Sequence, residues 1–426
     1  LWEDCGYTLS EDVTLKQCDP FYKIRFDDGT EFSYSGDHDQ MRAEVAKFDP
    51  SDVDGFERFN TVSARIFEVA FTKLAAKPFH SLLFTAQTLT ELVWLGGYRT
   101  VYSKVCDYFK NPKLRIVFSF HPLLIGGNPF TTTAYYCLIA HLERRYGVHY
   151  AVGGTGALVK GILGLVERHG GTVRYDSVVS EITTSGRQVT GVKLADGEHL
   201  DADIVVSNVD PAMTYGQLLK DYPRKRWTDR KIRRSRYSMS LFVWYFGTKK
   251  KFDDIGHHTM VLGPRYKGLL DDIFKKHVQS DDFSLYLHRP TASDPHLAPD
   301  GCDAFYVLSP VPNLASNVDW SDFAETYRKR IEAHLEKTLM PGLAESIVTS
   351  HMLTPVDFRD RLFSYNGAAF SMEPQLIQSA WFRPHNKSEE VDGLYLVGAG
   401  THPGAGLPGV VSSAKIVADL VSGAQS

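Results

Sequence analysis

The chain has 426 residues, 43% of them apolar and 23% charged, and its 47 basic side chains against 51 acidic ones give a formal charge of −4. That balance is globular: it excludes a disordered chain and an integral membrane bundle, and the lack of a basic tract argues against a nucleic-acid partner. The length admits two domains.

The opening residues, LWEDCGY, have neither the basic start nor the apolar core of a signal peptide and read as the middle of a reading frame, so an N-terminal truncation is expected. Residues 21–34 predict a hairpin, with FYKIRF and TEFSY flanking the Asp27-Asp28-Gly29 turn. A helix follows, capped by Asp49 with Pro50 in its first position, and Phe56, Phe59, Ile66, Phe67 and Ala70 recur at helical spacing. Residues 79–98 come nearest to a membrane span, but Gln87, Glu91 and several hydroxyl residues interrupt the run. An amphipathic helix is expected there, with one face buried in the protein or laid in a bilayer surface. Asn128-Pro129 repeats the cap-and-proline device and predicts a helix reaching Arg145, with Tyr135, Leu138, Ile139 and Leu142 in one stripe.

The glycines of VGGTGAL, residues 152–158, precede a helical pattern that Gly170 closes. Strand-like runs at 172–175, 178–183, 189–194 and 202–207 then predict a small meander, turned at Ser185-Gly186 and Asp196-Gly197. The apolar run within 203–208 suits a strand buried on both faces. From Ser240 the texture becomes β-rich, with SLFVWYFG, TMVLG, FSLYLH and AFYVLSPV predicting a second sheet and residues 322–339 a polar-faced helix.

The last informative stretch, LYLVGAGTHPGAGLPGV at 394–410, reads as a strand, a glycine-rich loop and a helix start, and looks like a flavin seat. Gly398, Gly400, Gly404, Gly406 and Gly409 carry no side chain to keep a ligand off the backbone, and the amides of the helix that Pro408 opens suit an anion. No strand followed directly by a G-x-G-x-x-G turn and a helix, the opening expected of a dinucleotide-binding chain, occurs in the sequence. Five scattered cysteines form no C-x-x-C pair, and His257-His258, the closest pair among 16 histidines, lies in no H-E-x-x-H pattern. A reduced, intracellular protein without a metal site is therefore expected. The element order fits a discontinuous α/β nucleotide domain, residues 147–210 and 355–426, combined with an α+β sheet-and-helix domain from residues 1–146 and 211–354.

Six segments together carry a specific likeness that spans essentially the whole chain: FDPSDVDG at 48–55, YSKV at 102–105, FSFHPLLIGGNPF at 118–130, GGTGAL at 153–158, SAWFRPHN at 379–386, and the 394–409 loop. In these the chain resembles bacterial-type phytoene desaturases, members of the carotenoid and retinoid oxidoreductase family of flavoproteins. The resemblance implies noncovalent FAD in a Rossmann-like, amine-oxidase-like domain, and a substrate domain that takes a long hydrophobic polyene from the membrane. It places the dinucleotide fingerprint ahead of Leu1, in about 60–70 residues, so that the chain by itself is expected to be inactive. By the same resemblance Gly153, Gly154 and Gly156 fit the second glycine turn, and Val179 the position whose backbone meets adenine. Gly398, Ala399, Gly400, Thr401, Gly406, Pro408, Gly409 and Val410 fit the C-terminal FAD loop.

The implied reaction is desaturation of a C40 carotenoid precursor, with phytoene the leading substrate, by hydride transfer to flavin N5 and loss of the adjacent proton. Electrons would pass on to oxygen or a quinone, and the protein would sit peripherally on the cytoplasmic side of a bacterial membrane. His402 is the candidate base nearest the loop, then His121 and Asn128; each also has a plain structural use, and Arg383 reads as a salt-bridge partner. Rival readings are a desaturase or saturase of a related polyene or later carotenoid intermediate, an amine oxidase, and a flavin-free lipid-binding remnant.

Overall fold

A seven-stranded sheet organises the first of two units into which the chain divides, made of Leu1–Val53, Leu142–Arg174 and Leu241–Val356; the second unit is Asp54–His141, Tyr175–Ser240 and Asp357–Ser426. The computed structural model describes residues 1–79, 93 and 95–423. Most of the amphipathic segment expected at 79–98 lies outside the described residues. No helix among the described residues is long and apolar enough to cross a membrane.

In the first unit the strand order is Ile347–Leu353, Ser240–Thr248, Asp303–Val311, Leu285–His288, His258–Val261, Tyr22–Arg25 and Glu31–Tyr34. The pair His258–Val261 with Tyr22–Arg25 is parallel, and the pairs on either side of it are antiparallel. The expected hairpin turns at Gly29, whose φ of +82° suits glycine. Along Asp303–Val311 burial alternates strictly, so Phe305, Val307 and Val311 point to one face. The helix Trp320–Thr338, capped by Asp319, lays Trp320, Ala324, Tyr327, Ile331 and Leu335 against Trp244, Phe242 and Phe305. That spacing of four, three, four and four is one face of a helix. Each such large side chain contributes about 1.5–3 kcal/mol by leaving water.

Residues 142–174 also cluster in this unit, a different division from the expected one. The reason is packing: Leu165 on the helix Thr155–Arg168 joins Trp2 and Val13, and the strand His149–Ala151 pairs with Leu15–Gln17. Gly170, at φ +77°, ends the helix as predicted, with the Gly171 amide returning to the Val166 carbonyl.

The second unit holds a parallel pair, Val205–Ser207 with Leu394–Leu396, and an antiparallel meander of Val179–Ser185, Gln188–Leu194 and His199–Asp201. Ile182, Val189, Tyr215, Trp227, Leu394 and Leu396 form its core. Its first helix follows the sequence reading: Asp49 accepts from the Ser51 amide, Pro50 opens a 3-10 turn, and Val53–Phe67 buries Phe56, Phe59, Ile66 and Phe67.

Three expectations are corrected. Residues 172–175 form no strand; no described strand lies beside them to take their hydrogen bonds, and a lone strand is not a stable element. Val205–Ser207 is not buried on both faces, since it pairs with one described neighbour and leaves Val206 49% exposed. The helix expected from Asn128-Pro129 starts later, as Ala134–Cys137 and then Leu138–Tyr146. Asn128 instead makes a local turn to the Phe130 amide, while the carbonyls of Pro129 and Thr132 are taken by Tyr102 and Val101. Those carbonyls therefore serve tertiary bonds in place of helical ones.

Candidate functional site

The 394–410 stretch folds as its sequence predicts: a fully buried strand, a loop, and the helix Leu407–Ser422 with Pro408 in its first turn. The glycines have individual reasons. A Cβ on Gly398, at φ +99°, would stand 2.3 Å from Asn208 Oδ1, and one on Gly400 would stand 2.2 Å from Pro211 Cδ. One on Gly409 would meet the Gly404 carbonyl oxygen at 2.6 Å. All three approaches are closer than side chains tolerate, so here glycine makes room for protein.

Two buried side chains fix the loop. Arg383 donates from Nε to the Thr401 carbonyl (3.0 Å) and from Nη2 to the Ala399 carbonyl (2.7 Å), with further bonds to the carbonyls of Met372 and Gln378. It is a carbonyl clamp, where a salt-bridge partner was expected. Asn386 Nδ2 reaches the His402 carbonyl at 3.0 Å and the Leu396 carbonyl at 3.3 Å. The Gly398 amide donates to Ser413 Oγ at 2.8 Å, which ties loop to helix. Thr401, fully buried, closes the turn by donating from Oγ1 to the Gly398 carbonyl. The carbonyls of 396, 398, 399, 401 and 402 are all engaged by protein donors, and the amides of Gly398 and Thr401 by protein acceptors, so any amides the loop gives a ligand come from its other residues. The helix behind it, whose N-cap Gly406 provides no side-chain cap, adds the positive end of its dipole. This donor set suits an anionic, hydrogen-bond-accepting edge.

Ala399, Thr401, Pro408, Gly409 and Val410 thus share one locus with Gly398, Gly400, Gly406 and His402. His402 is buried, its Nε2 lies 3.4 Å from the Leu74 carbonyl, and its ring stands 4.6 Å from that of Phe79. Burial lowers its pKa to about 4, with the charges of Arg383 and His385 acting in the same direction, so the imidazole is neutral near pH 7. His121 is buried and stacked on Phe120, with ring centroids 4.3 Å apart. Its segment borders the loop, since a Cβ on Gly406 would lie 3.5 Å from Ile125 Cγ2. Asn128, also buried, is occupied by its own turn. Val179 opens the meander opposite Leu194.

The second glycine turn belongs to the other unit. Gly153 and Gly154 have φ of +84° and +81°, and Gly154 begins the helix Thr155–Arg168 without a side-chain cap. The Gly153 amide donates to Asp294 Oδ2 at 2.8 Å, and a Cβ on Gly156 would meet nothing within 4 Å. Sequence reasoning missed Arg383 and Asn386 as the loop's fasteners, and Asn208 and Pro211 as its wall. The only signal for the fasteners was their place in SAWFRPHN.

The profile of the family described as flavin containing amine oxidoreductase matches residues 3–422. The chain is 48% identical to a neurosporene-forming phytoene desaturase of Rhodobacter capsulatus, over 99% of this chain and 82% of that protein. It is 46% identical to a lycopene-forming phytoene desaturase of Pantoea ananas, over 98% of this chain and 85% of that one. Among solved structures, a putrescine oxidase variant superposes with a TM-score of 0.60 at 12% identity, covering 99% of this chain and 84% of the other. An oxidoreductase from Methanosarcina mazei gives 0.58 at 14%, covering 96% and 82%. At such identities the likeness is one of fold, and the fold is amine-oxidase-like. The cofactor is FAD, and the amide-presenting 398–409 loop with its uncapped helix fits that group. A glycine loop held open by buried clamps, within a sequence nearly all of which aligns with these enzymes, leads to one assignment: the chain belongs to the flavin containing amine oxidoreductases, among the phytoene desaturases.

Proposed function

We propose that this protein desaturates a C40 carotenoid precursor, with phytoene as substrate. The observation that carries the reading is the 48% identity to a phytoene desaturase over 99% of this chain, whose flavin loop is built and clamped. Gly398, Ala399, Gly400, Thr401, Gly406, Pro408, Gly409 and Val410 would hold the isoalloxazine side of FAD, and Gly153, Gly154, Gly156 and Val179 match further cofactor positions of the family. FAD, when bound, supplies the two-electron acceptor.

The chain's own residues do the rest. Arg383 and Asn386 keep the loop's carbonyls turned toward protein, so its amides are preorganised before anything binds. The helix Leu407–Ser422 presents its N-terminus to negative charge. Loss of a hydride from an allylic carbon leaves a cation whose neighbouring C–H is strongly acidic, so a weak base is enough to take the proton. His402, neutral because it is buried, suits that demand in basicity. Its contact with the Leu74 carbonyl gives it a second use in ordering the loop. The polyene would enter from the cytoplasmic face of the membrane, with oxygen or a quinone receiving the electrons.

Full-length protein incubated with FAD, phytoene and liposomes should produce longer chromophores, read as a red shift in absorbance. A 31% identical all-trans-zeta-carotene desaturase from Myxococcus xanthus supplies the second reading, a later intermediate as substrate. No colour from phytoene together with turnover of zeta-carotene would move the assignment there. Flotation with the liposomes tests the membrane placement, and protein left entirely in the dense fraction would refute it.

A further inference from the structure

Away from the glycine loop, the first unit brings together three side chains that are remote in sequence. Cys18 precedes the strand Tyr22–Arg25, and because that strand pairs in parallel with His258–Val261, the thiol arrives beside the histidine pair. Cys18 Sγ lies 3.8 Å from His258 Nε2, and the ligating atoms of Cys18, His257 and His258 all lie within 4.8 Å of one another. Cys18 and His257 are buried to 2% and 8% exposure.

The ring orientations are informative. His257 Nδ1 hydrogen-bonds Ser293 Oγ at 2.7 Å, and His258 Nδ1 hydrogen-bonds the Tyr286 hydroxyl. Both imidazoles are therefore anchored through Nδ1, which leaves Nε2 as the nitrogen available to the cluster. That is the usual arrangement of a metal-binding histidine, whose second nitrogen is held by an outer partner. His257 Nε2 is buried and has no hydrogen-bond partner among the described residues, a costly condition unless something binds there. A cavity of about 550 Å³ opens beside the cluster, with Cys18 and His257 in its wall, and gives room for a fourth ligand. Asp19, Asp253, Asp300 and Asp303 on the same wall outnumber Lys16, Lys251 and Arg289 by one charge.

We propose that Cys18, His257 and His258 form a three-ligand site for a borderline-soft transition-metal cation, Zn²⁺ in the first instance, with water or a small anion from the cavity as fourth ligand. One thiolate and two imidazoles are donors of the kind Zn²⁺ takes, and a three-residue set leaves one position open. In tetrahedral zinc, bonds of about 2.0–2.3 Å set the donors roughly 3.4–3.6 Å apart. The Cys18–His258 pair needs a few tenths of an ångström of closure from its 3.8 Å, and the widest pair about one ångström from its 4.8 Å bound, within reach of side-chain rotation. On binding, the Cys18 thiol gives its proton to solvent and the imidazoles bind neutral. No spacing rule finds this site, because only the parallel strand pair brings the cysteine to the histidines. The expectation of a metal-free chain rested on sequence spacing alone.

The test is a titration of chelator-stripped protein with Co²⁺, followed by displacement with Zn²⁺. One Co²⁺ should bind per chain with a thiolate-to-metal charge-transfer band in the near ultraviolet, and Zn²⁺ should abolish the band. Cys18→Ser should remove the band and weaken Zn²⁺ binding at least tenfold, as should His257→Gln. Cys302→Ser, which removes another thiol from the same cavity wall, should change neither. Circular dichroism checks the fold of each variant. Absence of Co²⁺ binding in the unsubstituted chain, or a band that survives Cys18→Ser, overturns the site. Neither outcome bears on the flavin assignment, which stands on the family match and on the 398–409 loop of the other unit.

Discussion

The two glycine-rich turns use glycine for different reasons. In the 398–409 loop, Gly398, Gly400 and Gly409 are required by protein atoms at 2.2–2.6 Å from any added Cβ, and buried Arg383 and Asn386 lock the backbone around them. In the 153–156 turn the requirement at Gly153 and Gly154 is conformational, through positive φ, and at Gly156 neither strain nor neighbour forbids a side chain. A run of glycines is therefore ambiguous: it can mark close approach by protein or ligand, or a backbone at positive φ, and its surroundings decide which. Gly156 has open space before it, so nothing in the protein itself requires glycine there.

The sharpest way to break the contrast is Arg383→Ala. It strands four main-chain carbonyls in a buried site, and unfolding by urea should show a loss of about 4 kcal/mol, with FAD no longer retained on gel filtration. A variant as stable as the parent would mean that water or rearrangement replaces the clamp.

Acid should act on the same loop through His402. Its folded pKa of about 4 lies below the ordinary 6.5, so the unfolded chain takes up a proton that the folded chain refuses. The stability this group provides is present above pH 6.5 and is lost as pH falls toward 4, in total about 3 kcal/mol. Denaturation midpoints measured across that window should fall, and His402→Phe should flatten the fall. An unchanged slope in the variant would assign the acid sensitivity elsewhere.

The smallest effect separates the two turns directly. Gly400→Ala should cost about 1–3 kcal/mol by overpacking against Pro211. Gly156→Ala, in an open helical position, should be neutral or stabilise by up to about 1 kcal/mol while weakening FAD binding. Thermal unfolding and a flavin titration on the pair would read both quantities. Equal destabilisation by the two changes would erase the distinction.

Much of the framework was legible in residue order. The hairpin at Gly29, the Asp49-Pro50 helix start, the Gly170 helix end and the strand-loop-helix at 394–410 are all specified by neighbours within a few positions, which is where turn and cap chemistry acts. What was not legible depends on partners distant in sequence. Pro129 and Thr132 lose their helical role because Tyr102 and Val101 claim their carbonyls. Arg383, read as an ion-pair former, instead serves carbonyls on both sides of its own segment. His257 and His258 were visible as a pair, but the thiol that faces them was not. In each case local chemistry proposed one partner and tertiary contact supplied another.

The parallel pair of Val205–Ser207 with Leu394–Leu396 carries a consequence for synthesis. One strand is synthesised well before the other, since Val205 pairs with Leu394. Contacts so remote in sequence form late, because a long loop must close first. Until Leu396 emerges, Val205 and Val206 present an unpaired edge in a nascent chain, an open invitation to chaperones. The glycine loop follows directly on the later strand, so its seat awaits the same long-range pairing.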